Sequence, residues 1–340
     1  MSKDQFYLSA SRIKTYLGCS WQYWAKYHLK IPEKQNAGAA RGNVCHEVLE
    51  ILLDPKYKHW YDYIIEKQTC KGIKGLEKII KEARAKFQVE EKHDNKGNHN
   101  GELIDEMIYN ACCYDFFCDG WELEKPEKEF NFINKNPYYA IRGFIDKHAR
   151  KRKRGLIRDY KSSNEIRKED HELQGLIYSL YLLKVEQALS FVEFQFLRFP
   201  ENPIVSFEFD EDELLGAEEW LAEIQATLEN FDEETAYSHF AADDGWPDKK
   251  KNEGFKGLAM CGYGKFPGHC YSDTHDDPAK RGNPYFVCGY KWPLDYYVST
   301  KDNIIEESAF EKEGLEKKRG HKIEKRRYMG CPKFNKLNYE

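Results

Sequence analysis

The spacing of apolar and polar positions divides the chain into three textures. From residue 8 to about 121 apolar residues recur at helical spacing, with Ile13, Tyr16, Leu17 and Trp24 in one run and Val44, Val48, Leu49 and Leu52 in another. Ser9 or Ser11 is placed to cap the first helix, and the polar stretch 92–101, with two glycines, interrupts the pattern as a loop. After Lys125-Pro126 the texture changes to strands at 128–133, 138–149 and 156–161. A helix over 171–186 follows, then strands at 191–198 and 204–209 and an acidic amphipathic helix over 211–230. From Ala241 onward Gly, Pro, Cys and aromatics are frequent and periodic runs few, which predicts an irregular region held by something other than a hydrophobic core. The expected organisation is a helical region over 1–125, an α/β core over 126–240 and a Cys-containing region over 241–340.

The second and third strands join across the basic loop Arg150-Lys151-Arg152-Lys153-Arg154-Gly155 and read as a hairpin. If its turn centres on Arg152-Lys153, Asp146 falls opposite Asp159. Directly opposed like charges destabilise a sheet unless something positive lies between them, and a divalent metal is the natural candidate. Period-two alternation puts Lys161 on the Asp159 face. Taken alone, the patch reads equally well as a solvated Asp159/Lys161 ion pair. A bulge at Gly155 would also turn one carboxylate to the other face.

Composition narrows the classes. With 340 residues, 41% hydrophobic and 15% aromatic, the chain has material for a large core and is not a disordered one. The formal net charge of −5 argues against a general attraction to nucleic acid, but basic residues cluster at 147–154 and 316–327, as a strand-tracking groove beside a metal site requires. The start of the chain lacks an apolar signal region and nowhere do 18 apolar residues run together. A soluble cytoplasmic protein without a membrane partner is expected. Its ten cysteines are then reduced thiols or metal ligands rather than a disulfide framework, and Cys112, Cys113 and Cys118 fall in a helical run over 103–121 as small core residues.

Four further features converge on the hairpin. Glu129, in the preceding strand, is placed to add a carboxylate at the sheet edge. His46 lies on a helix and can offer a neutral imidazole to a metal; Glu50 stands where a zinc-protease motif would need a second His. Gln174 and Tyr178, four apart on the helix after the hairpin, offer an amide and a phenol on one face.

In this order the motifs resemble the RecB-like branch of the PD-(D/E)XK nuclease superfamily, which includes nuclease domains of recombination helicases, CRISPR adaptation exonucleases and phage exonucleases. The resemblance runs from about residue 8 to 200. It rests on the opening helix Leu8 to Cys19, the helix bearing His46, Gly143 to Asp146, Asp159-Tyr160-Lys161, and Gln174 with Tyr178. It implies an α/β, restriction-endonuclease-like αβββαβ core, with Mg²⁺ or Mn²⁺ held by His46, Asp146, Asp159 and the Tyr160 carbonyl. Lys161 would orient water or stabilise the transition state, and Gln174 and Tyr178 would contact DNA or support the site. The implied activity is exonucleolytic hydrolysis of single-stranded or end-opened DNA in recombination, repair, phage DNA metabolism or CRISPR adaptation. A helicase, recombination or CRISPR adaptation protein would be the partner, since no Walker A pattern is present. The alternative is a non-catalytic nucleic-acid-binding scaffold with the same fold, against which the intact Asp146, Asp159 and Lys161 argue.

Many members of that branch join a Cys at the end of the first helix to three near the C-terminus around a 4Fe-4S cluster. The resemblance implies Cys19, Cys261, Cys270 and Cys288 as ligands, with Cys331 a further candidate. The spacing departs from the family's close C-terminal cysteines. Zinc on a mix of Cys with His269 or His275, or no metal, remains open.

Overall fold

The computed structural model describes residues 5–32, 37–91, 99–241, 288–299, 304–306 and 323–333. In chain order the elements begin with α1 (Ala10–Gly18), α2 (Ser20–Tyr23), a π-helical turn at Trp24–His28, α3 (Ala37–Leu52), a 3-10 turn at Pro55–Tyr57, α4 (Lys58–Lys67), α5 (Lys74–Lys86) and α6 (Asn100–Cys112). Then come β1 (Glu122–Leu123), β2 (Lys128–Lys135), β3 (Tyr138–Ile145), β4 (Lys147–Lys151), β5 (Arg154–Lys161), α7 (Glu172–Lys184), β6 (Leu189–Phe196), β7 (Ile204–Phe207), α8 (Glu211–Glu229) and α9 (Glu233–Ala236). The last are β8 (Leu294–Ser299), β9 (Ile304–Glu306) and β10 (Ile323–Tyr328). The chain divides into two compact units, Met1–Ala10 with Gln35–Glu229, and Ser11–Lys34 with Asn230–Glu340.

The first unit is built on a five-stranded sheet of order β1-β4-β5-β6-β7. β5 and β6 are parallel, which requires a crossover, and α7 supplies it. The other neighbours are antiparallel. One face of β5 meets a cluster in which Val44, Val48, Leu49 and Leu52 of α3 and Ile104, Met107, Ile108 and Ala111 of α6 pack with Tyr160. The apolar stripe at helical spacing in the sequence is therefore the face that α3 buries. The other face lies under α7. At Gly155 the approach is so close that a Cβ would stand 2.5 Å from Leu182 Cδ2. Cross-strand partners Arg158, which is buried, and Glu193, which is partly exposed, form an ion pair at 2.7 Å, and Arg158 also donates to the Tyr114 carbonyl.

The hairpin register is uninterrupted, running from Lys147 opposite Arg158 to Lys151 opposite Arg154, with Arg152 at φ 57° in the turn. One step further sets Asp146 against Asp159. The single strand expected over 138–149 is divided at that residue: β3 pairs with β2 up to Ile145, and β4 pairs with β5 from Lys147. The helix expected through Trp121 ends at Cys112, because the chain turns through left-handed φ at Asp115 and Cys118. Lys147, counted in the basic cluster, points inward; its ammonium donates to the Phe116 carbonyl at 2.8 Å. Burial, and after it the Arg158 charge, pull its pKa down to about 8.

In the second unit Trp21 and Tyr23 are buried with Phe231 and Phe240, and Ser20 Oγ donates to the Ala236 carbonyl. Trp21 Nε1 donates to Tyr328 Oη, which donates in turn to the Tyr290 carbonyl, each at 2.8 Å. The region expected to be irregular contains a three-stranded sheet, β10-β8-β9. The basic run at 325–327 lies in β10, where Lys325 pairs with Asp295 of β8 at 3.0 Å. No helix among the described residues is long and apolar enough to cross a membrane.

The α7–β5 contact gives a direct test. Gly155→Val forces branched carbon into Leu182 and should lower the unfolding free energy by about 1–3 kcal/mol in urea denaturation.

Candidate active site

β5, α7 and the N-terminal end of β4 bring five polar side chains together. Asp159 and Lys161 project from β5 and are in ion-pair contact. Gln174, on α7, donates from Nε2 to Asp159 Oδ2 at 2.7 Å and to Tyr178 Oη at 2.8 Å, while its Oε1 accepts from Lys161 Nζ at 2.9 Å. Tyr178 Oη lies 2.8 Å from both Asp159 Oδ2 and the Phe144 carbonyl, with one proton to offer them. One Asp159 oxygen is thus held by an amide and a phenol. The other, Oδ1, is buried against the Lys161 ammonium, its ion-pair partner.

Asp146 completes the group from the end of β4. Its Oδ2 accepts from the Tyr160 backbone N–H at 2.7 Å and its Oδ1 lies 3.2 Å from His46 Nδ1. His46 reaches the strand end because α3 runs very close to it. One helical turn earlier, a Cβ at Gly42 would stand 2.6 Å from Ser162 Oγ, just beyond β5.

The carboxylate joining this edge is Glu127. Its Oε1 is 3.9 Å from His46 Nδ1, and ligand atoms of His46, Glu127 and Asp146 lie within 4.8 Å of one another. Glu129 is exposed on β2 opposite Phe144, and its carboxylate enters none of the contacts of the site. Strand alternation singles out Glu129; Glu127 precedes the strand at φ 49°, a left-handed conformation that periodicity does not reveal.

The loop carrying Glu127 is clamped by charges. Lys128 Nζ donates to Glu124 Oε2 at 2.7 Å and Glu186 Oε1 at 3.2 Å, His148 Nε2 lies 3.1 Å from Glu186 Oε2, and Arg150 stands within 3.7 Å of both glutamates. Glu124, His148 and Glu186 also have metal-like spacing, but Lys128 and Arg150 already neutralise the two carboxylates.

Burial and mutual repulsion dominate the electrostatics. Asp146 has its pKa raised by desolvation first and by the neighbouring Asp159 charge second, against the pull of His46 and the Tyr160 N–H. Burial alone would lower the His46 pKa. The Asp146 carboxylate, by charge and by hydrogen bond, with help from Glu127 and Asp159, overrides burial and carries it up to about 10. Tyr178 is raised well above its ordinary value by burial and by Asp159, so its phenol remains a donor.

An imidazolium stabilised by Asp146 has a signature. A His46 pKa raised from about 6.5 contributes stability that is fully present below pH 6.5 and lost as pH rises towards 10. In metal-free protein the His46 ring should titrate in NMR spectra well above pH 7, and Asp146→Asn should return the midpoint towards the ordinary value.

A family model described as the PD-(D/E)XK nuclease superfamily matches residues 7–270. Among solved structures, the chain is similar to a candidate exonuclease from Eubacterium rectale, with 12% identity and a TM-score of 0.39 over 64% of this chain and 77% of that one. No curated protein matches. With the family's match extending over more than half its length, the chain belongs to the PD-(D/E)XK nuclease superfamily.

Proposed function

We propose that the chain is a divalent-metal-dependent deoxyribonuclease, an exonuclease that hydrolyses phosphodiester bonds of DNA from its ends. The observation that carries this reading is the pair of buried carboxylates Asp146 and Asp159 at the ends of adjacent strands, with the Lys161 ammonium on Asp159 and His46 on Asp146. Carboxylate oxygens that already face an ammonium and an imidazole suit a cation. Members of this superfamily use divalent metals, and hard oxygen donors with one imidazole suit Mg²⁺ or Mn²⁺. Asp146, Asp159, His46 and the Tyr160 carbonyl would hold the ion, with Glu127 taking the place at the edge first assigned to Glu129. Bound there, the ion supplies charge neutralisation at the phosphoryl oxygens and water activation near neutral pH.

The chain's own residues do the rest. Lys161 places positive charge where negative charge develops on the phosphoryl group. Gln174 fixes the Lys161 ammonium through Oε1 and Asp159 through Nε2, so one amide sets the distance between cation and carboxylate. Tyr178 Oη lies within hydrogen-bond distance of Asp159 and of the Phe144 carbonyl, so its one proton serves either acceptor. Recombination, repair, phage DNA metabolism or CRISPR adaptation would supply such a substrate, with a helicase, recombination or CRISPR adaptation protein as partner.

The cysteine assignment enters as a second part of the proposal. Cys19 and Cys288 would serve a 4Fe-4S cluster or zinc with Cys261 and Cys270, which lie outside the described residues, as do His269 and His275. Within the second unit the Cys331 N–H is bonded to the Lys291 carbonyl and the Lys291 N–H to the Cys288 carbonyl, which brings Cys331 alongside. Protein purified without oxygen should show a broad visible absorbance that Cys19→Ser abolishes; zinc by elemental analysis would replace the cluster assignment.

Degradation of end-labelled linear DNA with Mg²⁺ or Mn²⁺ tests the activity. Wild type should release label only with metal, and Lys161→Ala and Asp159→Asn should each lose on the order of 100-fold or more in rate. DNA bound but left intact by folded wild type would make the protein a scaffold instead.

A further inference from the structure

Four consecutive cations, Lys151, Arg152, Lys153 and Arg154, form the exposed tip of the β4–β5 hairpin. Among the described residues none of the four is in an ion pair, unlike Arg150 just before them. The tip is also far from the chemistry. From Arg154 to Lys161, β5 takes seven steps of about 3.3 Å, so ~23 Å of strand separates the tip from the Lys161 end. Beside the tip stands Leu189, whose N–H donates to the Lys153 carbonyl at 2.8 Å. At 65% exposed it is the most exposed large apolar side chain among the described residues, and Leu183 and Val185, at the end of α7, are open too.

Helix α8 presents the opposite chemistry. Asp212, Leu215, Glu219 and Glu223 recur at three- and four-residue spacing and are all exposed, whereas Ala217, Leu221, Ile224 and Leu228 are buried. The three acids of that stripe have no cationic partner among the described residues. Glu218, by contrast, is buried and takes Lys184 at 2.8 Å. The end of α7 joins the two surfaces: Leu182 meets Gly155 behind the basic tip, and Lys184 meets Glu218 behind the acidic stripe. Basic tip, apolar side chains and acidic stripe therefore border one another around the end of α7.

We infer that this surface is a self-association face on which a second copy of the chain docks, the basic tip of each copy on the acidic α8 stripe of the other and the apolar side chains between them. A surface bearing both halves of a charge pattern suits a two-fold contact, because each half then meets its complement twice. An apolar centre with a charged rim is also the make-up of a protein interface. A phosphate backbone fits less well. It gains nothing from Leu183, Val185, Leu189 and Leu215, it is repelled by the α8 carboxylates, and the tip stands at the end of β5 remote from Lys161.

Sedimentation of the full chain tests the contact independently of catalysis. Wild type should run as a dimer in reversible equilibrium. Raising salt from about 0.1 M to about 1 M, which shortens the screening length from roughly 10 Å to roughly 3 Å, should weaken that dimer. Lys151→Glu with Lys153→Glu, or Glu219→Lys with Glu223→Lys, should each raise the dissociation constant roughly tenfold or more. Mixing the two variants should restore a dimer, since the acidic tip of the first then meets the basic helix of the second, and the basic tip of the second the acidic helix of the first. All four side chains are exposed and unpaired, so each variant should keep the wild-type unfolding midpoint. A monomeric wild type, a dimer indifferent to both reversals, or variants that stay apart when mixed would overturn the inference. Loss of DNA affinity in the tip variant with the dimer intact would overturn it as well, and would give the tip to nucleic acid.

Discussion

Two buried carboxylates on neighbouring strands are the constraint around which the first unit is arranged. Placing Asp146 and Asp159 together in a site with little access to water costs free energy twice, once for desolvating each and once for their repulsion. The surroundings divide the task of offsetting it. A backbone N–H from Tyr160 and the His46 ring serve Asp146; Gln174, Tyr178 and Lys161 serve Asp159. At Asp159 Oδ1 the partner is the Lys161 ammonium, so each carboxylate is balanced by a cationic side chain.

Much of the fold can be traced to this requirement. The β3–β4 break falls at Asp146 itself, which frees its carboxylate to turn back onto the Tyr160 N–H of the adjoining strand. The parallel β5–β6 pair demands a crossover helix, and α7, brought close by Gly155, carries Gln174 and Tyr178 over Asp159. On the opposite face α3 comes near enough at Gly42 to deliver His46. The ion pairs around Glu124, Lys128, Arg150 and Glu186 hold the loop that presents Glu127. Each device acts over a short distance, and each involves a side chain whose burial would be unfavourable without its partner.

The hairpin geometry was legible in the sequence because a two-residue turn and period-two alternation leave little freedom: the register that opposes Asp146 and Asp159 follows from Arg152-Lys153 alone. Gln174 and Tyr178 could be placed on one face because helical spacing is equally restrictive. Glu127 was not legible, since it lies outside any periodic run and its left-handed backbone depends on tertiary contacts. Lys147 reads as part of a basic patch, and only the packing of Phe116 and Tyr160 around it shows that it points inward. The second unit joins segments some 200 residues apart, Ser11–Lys34 and Asn230–Glu340, a pairing that local composition does not encode.

The central claim is that the Asp146/Asp159 pair is a cation site, balanced by the His46 and Lys161 charges until metal arrives. Titration calorimetry with Mn²⁺, run in buffers of different ionisation enthalpy, tests it most directly. Binding should release protons, because His46 must give up its own to serve as a ligand, and Asp159→Asn should abolish the binding. Proton-free binding, or Mn²⁺ affinity unchanged by Asp159→Asn, would contradict the account.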